Sequence, residues 1–209
     1  LGLHKRVSQW LFDKGQIAGQ NGLIASVISA EGLHQELSQD ALAQKLIDEF
    51  FALAYHKEKK TPVIIVRLFN TVGPRQTGKY GMVVPNFIKQ ALKNKPITVF
   101  GNGNQSRCFC HVKDIVPALI KLMATPKAIG QIINLGSTAE ITIVGLAKKV
   151  KTLTNSKSKI TYTPYNEAYE KGFEDMERRI PDITKARKLI GFNAKNSIEN
   201  IIKDIIKEN

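Results

Sequence analysis

An α/β fold is predicted by three features of the 209-residue chain. The first is Val63-Ile64-Ile65-Val66, an unbroken β-branched run of the kind that forms a strand buried on both faces, as in a parallel sheet between helices. The second is the preceding stretch, 41–60, where Leu42, Leu46, Phe50, Leu53 and Ala54 recur at three- and four-residue spacing and mark a helix. The third is the alternation that follows, in which short apolar runs near 97–100, 131–135 and 160–162 are separated by helical patterns.

In chain order, residues 1–40 carry no assignable pattern. The stretch from Gly15 through Gly19 to Gly22 mimics a glycine-rich dinucleotide loop, but such a loop must follow an apolar strand. Val7-Ser8-Gln9-Trp10-Leu11-Phe12 is too polar and short to be that strand, and no further strand is readable before residue 60. The run at 63–66 continues into Arg67-Leu68-Phe69-Asn70 and a Gly73-Pro74 turn. Ligands of open α/β sheets sit at the carboxyl ends of strands, so Asn70 is placed either to bind one or simply to cap a turn.

Residues 71–82 are rich in turn formers and read as a loop over that end. A helix follows over 84–93, with Phe87, Ile88, Ala91 and Leu92 on one face and Pro85 in its first turn. Ile97–Phe100 is a strand, and 107–112 alternates as its hairpin partner across the Gly101-Asn102-Gly103 turn. Asp114 opens a helix over 115–123 and His111 reads as a packing histidine. Thr142 caps a helix through Leu153, a helix after Arg178-Arg179-Ile180-Pro181-Asp182-Ile183 stops at Gly191, and Ser197 caps an amphipathic last helix over 198–207.

The bulk numbers narrow the class. A hydrophobic fraction of 43% with 23% charged residues is ordinary for a globular protein. No apolar run reaches membrane-spanning length and no signal-peptide core is present, which makes the cytoplasm the expected location. The net charge of +13 comes from lysines spread along helix faces, without the interleaved aromatics of a single-strand binder, so no nucleic-acid partner is expected. Cys108 and Cys110 share one face of a strand, fit neither an easy disulfide nor a zinc site, and read as reduced packing residues; no metal is expected.

Taken together, Arg67-Leu68-Phe69-Asn70-Thr71-Val72-Gly73-Pro74-Arg75, Val83-Val84-Pro85-Asn86-Phe87, Ile97-Thr98-Val99-Phe100-Gly101-Asn102-Gly103 and Arg107-Cys108-Phe109-Cys110-His111-Val112-Lys113-Asp114 resemble one family in one order. It is the nucleotide-sugar epimerase/dehydratase/decarboxylase family, the extended branch of the short-chain dehydrogenases, with UDP-glucose 4-epimerases and UDP-glucuronate decarboxylases the nearest in look. The resemblance runs from about Lys45 to the C-terminus. It implies an α/β chain made of the C-terminal remnant of a Rossmann-type parallel sheet and a small mixed α/β substrate-binding domain. Residues 1–40 then stay unassigned, 41–75 are the last helix and strand of the sheet, and 76–209 bind the nucleotide sugar.

The same resemblance implies NAD as cofactor, a UDP-sugar as ligand, and a homodimer through the helix 41–60. By family position, Asn70, Arg107 and one arginine of the Arg178-Arg179 pair (Arg179, next to Pro-Asp-Ile by way of Ile180) hold the diphosphate, a task suited to the planar guanidinium. Val84, Thr98 and Phe100 line the uracil pocket through backbone contacts and ring packing. Lys45 falls on the family's catalytic and ribose-binding lysine, but its tyrosine partner is absent: the position holds Ala41, with Asp40 beside it. A carboxylate ionised near neutral pH cannot do a phenol's acid/base task.

A chain that opens on Leu1 and breaks the catalytic motif is expected to be incomplete and inactive alone. It is either a natural remnant or a C-terminal half joined to an unrelated reading frame. Two functions follow. One is an NAD-dependent epimerase or decarboxylase working through a 4-keto intermediate. The other is a non-catalytic nucleotide-sugar-binding or assembly module, whose strand 63–68 would be an exposed edge needing a partner.

Overall fold

The computed structural model describes residues 24–29, 39–76, 82–164 and 177–208. The glycine-rich stretch 15–22 lies outside them. The organising sheet is three parallel strands, β1 (Ile24–Ser29), β2 (Val63–Leu68) and β7 (Ile132–Leu135), in the order β1-β2-β7. Val63 to Val66 are each at most 2% exposed, as the unbroken apolar run requires.

Two expectations are corrected here. A strand does precede residue 60, since β1 runs alongside β2 from Ile24 opposite Val63 to Ser29 opposite Leu68. Its run of Ile, Ala, Ser, Val, Ile and Ser is diluted by small polar residues, which hid it. Consequently β2 is a central strand, paired on both sides, and not the open edge of the assembly reading.

Each face of this sheet is covered by helices. On one side α1 (Gln39–Lys59) sets Ala52 and Leu53 against Val63, Ile65 and Ile132. On the other, Ile64, Val66, Ile133 and Leu135 meet Ile115, Leu119 and Leu122 of α3 (Val112–Met123) and Ala186 of α5 (Thr184–Ile190). The second core gathers α2 (Val83–Leu92), α4 (Ile143–Leu153) and α6 (Ile198–Ile206) on β4 (Ile97–Phe100), through Phe87, Ile88, Val99, Leu146, Val150 and Ile202. The chain after residue 76 therefore does not stay in one core: α3, β7 and α5 return to the β1-β2-β7 sheet.

The predicted hairpin is also corrected. β4 pairs in parallel with β9 (Ile160–Thr163), and β5 (Ser106–Cys108) lies between β8 (Glu140–Thr142) and β10 (Arg178–Arg179). The segment 101–105 does turn, with Gly101 at φ 66° and Gly103 at φ 73°, but it docks on the start of α4 through Val144 N–H to Gly103 O (3.0 Å) and Ile143 N–H to Gln105 O (3.0 Å). A Cβ at Gly103 would lie 2.8 Å from Val99 Cγ1, so only glycine permits that approach. A short parallel pair, β3 (Thr71–Val72) with β6 (Cys110–His111), completes the framework.

The predicted caps are present: Thr142 Oγ1 accepts from Gly145 N–H, Ser197 Oγ from Asn200 N–H, and Gly191 ends α5 at φ 65°. His111 is fully buried and does more than pack. Its Nδ1 accepts from Lys113 N–H (3.1 Å) and caps α3, which puts the proton of the neutral ring on Nε2, 3.3 Å from Asp204 Oδ2 of α6.

Burial pushes the His111 pKa below 6.5, against the opposing pull of Asp204. A lowered folded-state value means that the unfolded chain takes up the proton first. Stability from this site is full above the unfolded value near 6.5 and is lost as pH falls through the lower folded one. The urea midpoint is expected to drop as pH falls below about 6.5, and to drop less in His111→Gln, which keeps a neutral donor and acceptor. Equal pH dependence in the two proteins would count against this assignment.

Candidate functional site

The site forms where β2 ends. Phe69 N–H still bonds to Leu135 O (2.9 Å), and the chain then turns at Asn70, whose φ of 39° is a left-handed conformation that asparagine tolerates. The Asn70 amide is oriented by its partners. Nδ2 donates to Cys108 O (2.7 Å), Oδ1 accepts from Arg179 Nη2 (2.8 Å), and the Asn70 carbonyl accepts from Cys110 N–H (3.0 Å). A buried asparagine thus joins the end of the central strand to β5 and β10, with one amide hydrogen still to give.

Arg179 stands opposite Arg107 in the parallel ladder between β10 and β5. Two guanidinium groups opposite one another attract an anion from both sides. Arg107 is held by its own strand, with Nη1 donating to Ser106 O (2.8 Å). Of the two consecutive arginines, Arg178 faces elsewhere: its Nε and Nη2 fork onto Glu140 at 2.9 and 2.7 Å. The Arg178 fork, then Ser106, holds the Glu140 carboxyl below its ordinary range.

Pro181-Asp182-Ile183 pins this segment to the sheet, since Asn134 Nδ2 donates to Asp182 O (3.0 Å) and Asp182 Oδ1 accepts from Thr184 N–H (2.9 Å). Gly136 lets the loops converge, for a Cβ there would lie 2.8 Å from that of Phe69 and 3.0 Å from Pro181 Cγ.

Asn70, Arg107 and Arg179 thus come together at the end of β2, and the other expected residues belong to other elements. Val84 is 1% exposed with its side chain in the second core, so only its backbone can meet a ligand. Thr98 and Phe100 lie on the separate β4–β9 sheet. Of their expected backbone contacts, two are already taken: Thr98 N–H donates to Gln90 Oε1 (3.1 Å), and Phe100 O accepts from Gln105 Nε2 (3.1 Å). The Phe100 side chain is exposed.

Lys45 lies in α1, one helical turn before Glu49, and Ala41 in the first turn of the same helix. Glu49 is buried and forks with Arg67 of β2, Oε1 to Nε at 2.7 Å and Oε2 to Nη2 at 2.6 Å. This bridge ties the Lys45 helix to the strand that ends in Asn70, and nothing local in the sequence signals it.

Burial raises the Cys108 thiol to about 11 and the Cys110 thiol to about 12. Both stay protonated packing groups near neutral pH. Among the described residues no group of His, Cys, Asp or Glu is placed to hold a metal, and no helix is long and apolar enough to cross a membrane.

Two arginines, one of them bonded to Asn70, thus lie at the carboxyl end of a parallel sheet, where open α/β folds place their ligands. Comparison with known proteins is specific. A sequence model described as GDP-mannose 4,6 dehydratase matches residues 42–205. A UDP-N-acetyl-alpha-D-glucosaminuronate decarboxylase of Bacillus cytotoxicus is 40% identical over 164 residues, covering 78% of this chain and 50% of the relative. The epimerase Mth375 of Methanothermobacter thermautotrophicus superposes with a TM-score of 0.78 at 25% identity, over 95% of this chain and 62% of that one. WbmF of Bordetella bronchiseptica, solved in complex with NAD+ and UDP, superposes with a TM-score of 0.68 at 26% identity, over 89% of this chain and 58% of that one.

The chain belongs to the family of NAD-dependent nucleotide-sugar epimerases and dehydratases, and corresponds to its C-terminal part. It spans about half the length of the decarboxylase it matches, and NAD is the family's cofactor.

Proposed function

We propose that this chain is the nucleotide-sugar-binding part of an NAD-dependent UDP-sugar epimerase or decarboxylase. The observation that carries the reading is the Asn70–Arg179–Arg107 cluster at the end of β2. Arg179 and Arg107 grip the diphosphate, and Asn70 fixes Arg179 while offering its remaining amide hydrogen to a phosphate oxygen. Val84, Thr98 and Phe100 flank the base, with the Phe100 ring as a packing surface. The part that meets the sugar and base is built from α2, α4, α6 and the β4–β9 pair.

When bound in the complete enzyme, NAD would supply the redox chemistry at C4 of the sugar, accepting a hydride there and later returning it. Lys45 and Ala41 both belong to α1, and an alanine at the family's tyrosine position offers no phenol for proton transfer. The chain alone therefore binds without turning over, which also supports the second reading, a non-catalytic binding or assembly module. For either, a second copy is the proposed partner through α1, where Phe50, Phe51 and Tyr55 are 71%, 57% and 61% exposed.

Thermal unfolding alone and with UDP, UDP-glucose, UDP-glucuronate or NAD tests the reading. A UDP compound at 100 times its dissociation constant is expected to stabilise by about 2.7 kcal/mol, while NAD leaves the midpoint unchanged. A shift with NAD would mean that this chain holds a cofactor site after all. No shift with any UDP compound would remove the nucleotide-sugar reading.

A further inference from the structure

The diphosphate reading leaves one question, which of two consecutive arginines serves it, and the inference below rests on that reading. β10 contains only Arg178 and Arg179. Neighbours along a strand point to opposite faces, so a slip of one residue would exchange the two. The backbone contacts are few: Arg178 sits opposite Ser106, Arg179 opposite Arg107, and Ser106 N–H donates to Glu177 O (2.8 Å). Either arginine could occupy the Asn70 side as far as charge and size are concerned.

The difference lies on the far face of the same sheet. Glu140 of β8 stands opposite Cys108 of β5. It receives the Arg178 fork at 2.9 and 2.7 Å and the Ser106 hydroxyl at 2.9 Å. Three side chains thus link all three strands, β10, β5 and β8, on the face away from Asn70.

We infer that Glu140 is a positioning residue for the phosphate site: by drawing Arg178 to the far face it commits Arg179 to Asn70 and Arg107. An exposed ion pair adds little to global stability. Choosing between two registers of one short strand needs only a modest preference, and a bidentate fork supplies it with a defined direction. The slipped register would leave Glu140 without its fork and would present Arg178 to Asn70 with β10 displaced by one residue.

The test is calorimetric titration of UDP into the whole chain and its Glu140→Gln, Arg178→Gln, double and Glu140→Asp variants, with thermal unfolding of each. Wild type is expected to bind, and Glu140→Gln and Arg178→Gln to bind about tenfold more weakly. The double variant should be no weaker than either single one, and Glu140→Asp should recover most of the affinity, with midpoints little changed because both groups are at the surface. Wild-type affinity in Glu140→Gln, or a lowered midpoint with unchanged affinity, would overturn the positioning role alone. Failure of wild type to bind UDP would remove the nucleotide-sugar reading and this inference with it.

Discussion

Replacing Arg179 by alanine is expected to weaken UDP binding by about 30- to 100-fold, equivalent to about 2–3 kcal/mol, in calorimetric titration. Two losses add. The phosphate loses a planar donor held in place before the ligand arrives, and Asn70 Oδ1 loses the partner that orients the amide. Arg107 would then face the diphosphate alone from β5. Arg179→Lys should fall between the two, since an ammonium keeps the charge without the fork. Unchanged affinity in Arg179→Ala would place the phosphate site elsewhere.

The largest effect on stability is expected at Glu49. Its carboxylate is buried against the sheet and satisfied by both arms of the Arg67 guanidinium. Glu49→Ala removes one partner and leaves the other charge half-desolvated beneath α1. The Arg67 side chain is 36% exposed, which keeps the cost below that of a fully buried pair, at about 2–3 kcal/mol. The thermal midpoint should fall by about 5–10 °C. Replacing the pair by an apolar one, Glu49→Met with Arg67→Met, should recover most of that, because the expensive state is the orphaned charge. A single variant as stable as wild type would mean that the bridge is incidental.

The residues that announced themselves in the sequence did so through local rules. β2 was legible because four β-branched residues in a row fit only a doubly covered strand, and α4, α5 and α6 because Thr142, Gly191 and Ser197 obey capping chemistry. The parts that were not legible depend on distant pairing. Arg179 meets Asn70 across 109 residues, His111 meets Asp204 across 93, and Arg178 meets Glu140 across 38. None of these separations carries a periodicity.

The hairpin expected at 97–112 failed for the same reason, since β4 found its partner in β9 rather than in the next apolar run. β1 was missed because Ala25, Ser26 and Ser29 dilute its apolar signal. The motif residues Asn70, Arg107 and Arg179 were reached through family resemblance, and their mutual geometry could not have been read from spacing alone.

The alternation of the chain between its two cores has a consequence for how it can be divided. α3, β7 and α5 belong with the β1-β2-β7 sheet, whereas α2, α4 and α6 belong with the β4–β9 side. A cut near residue 76 strips α3, β7 and α5 from the sheet and leaves their apolar faces uncovered in the other piece. Folding must close long loops before either core is complete, which favours slow, all-or-none assembly over independent units.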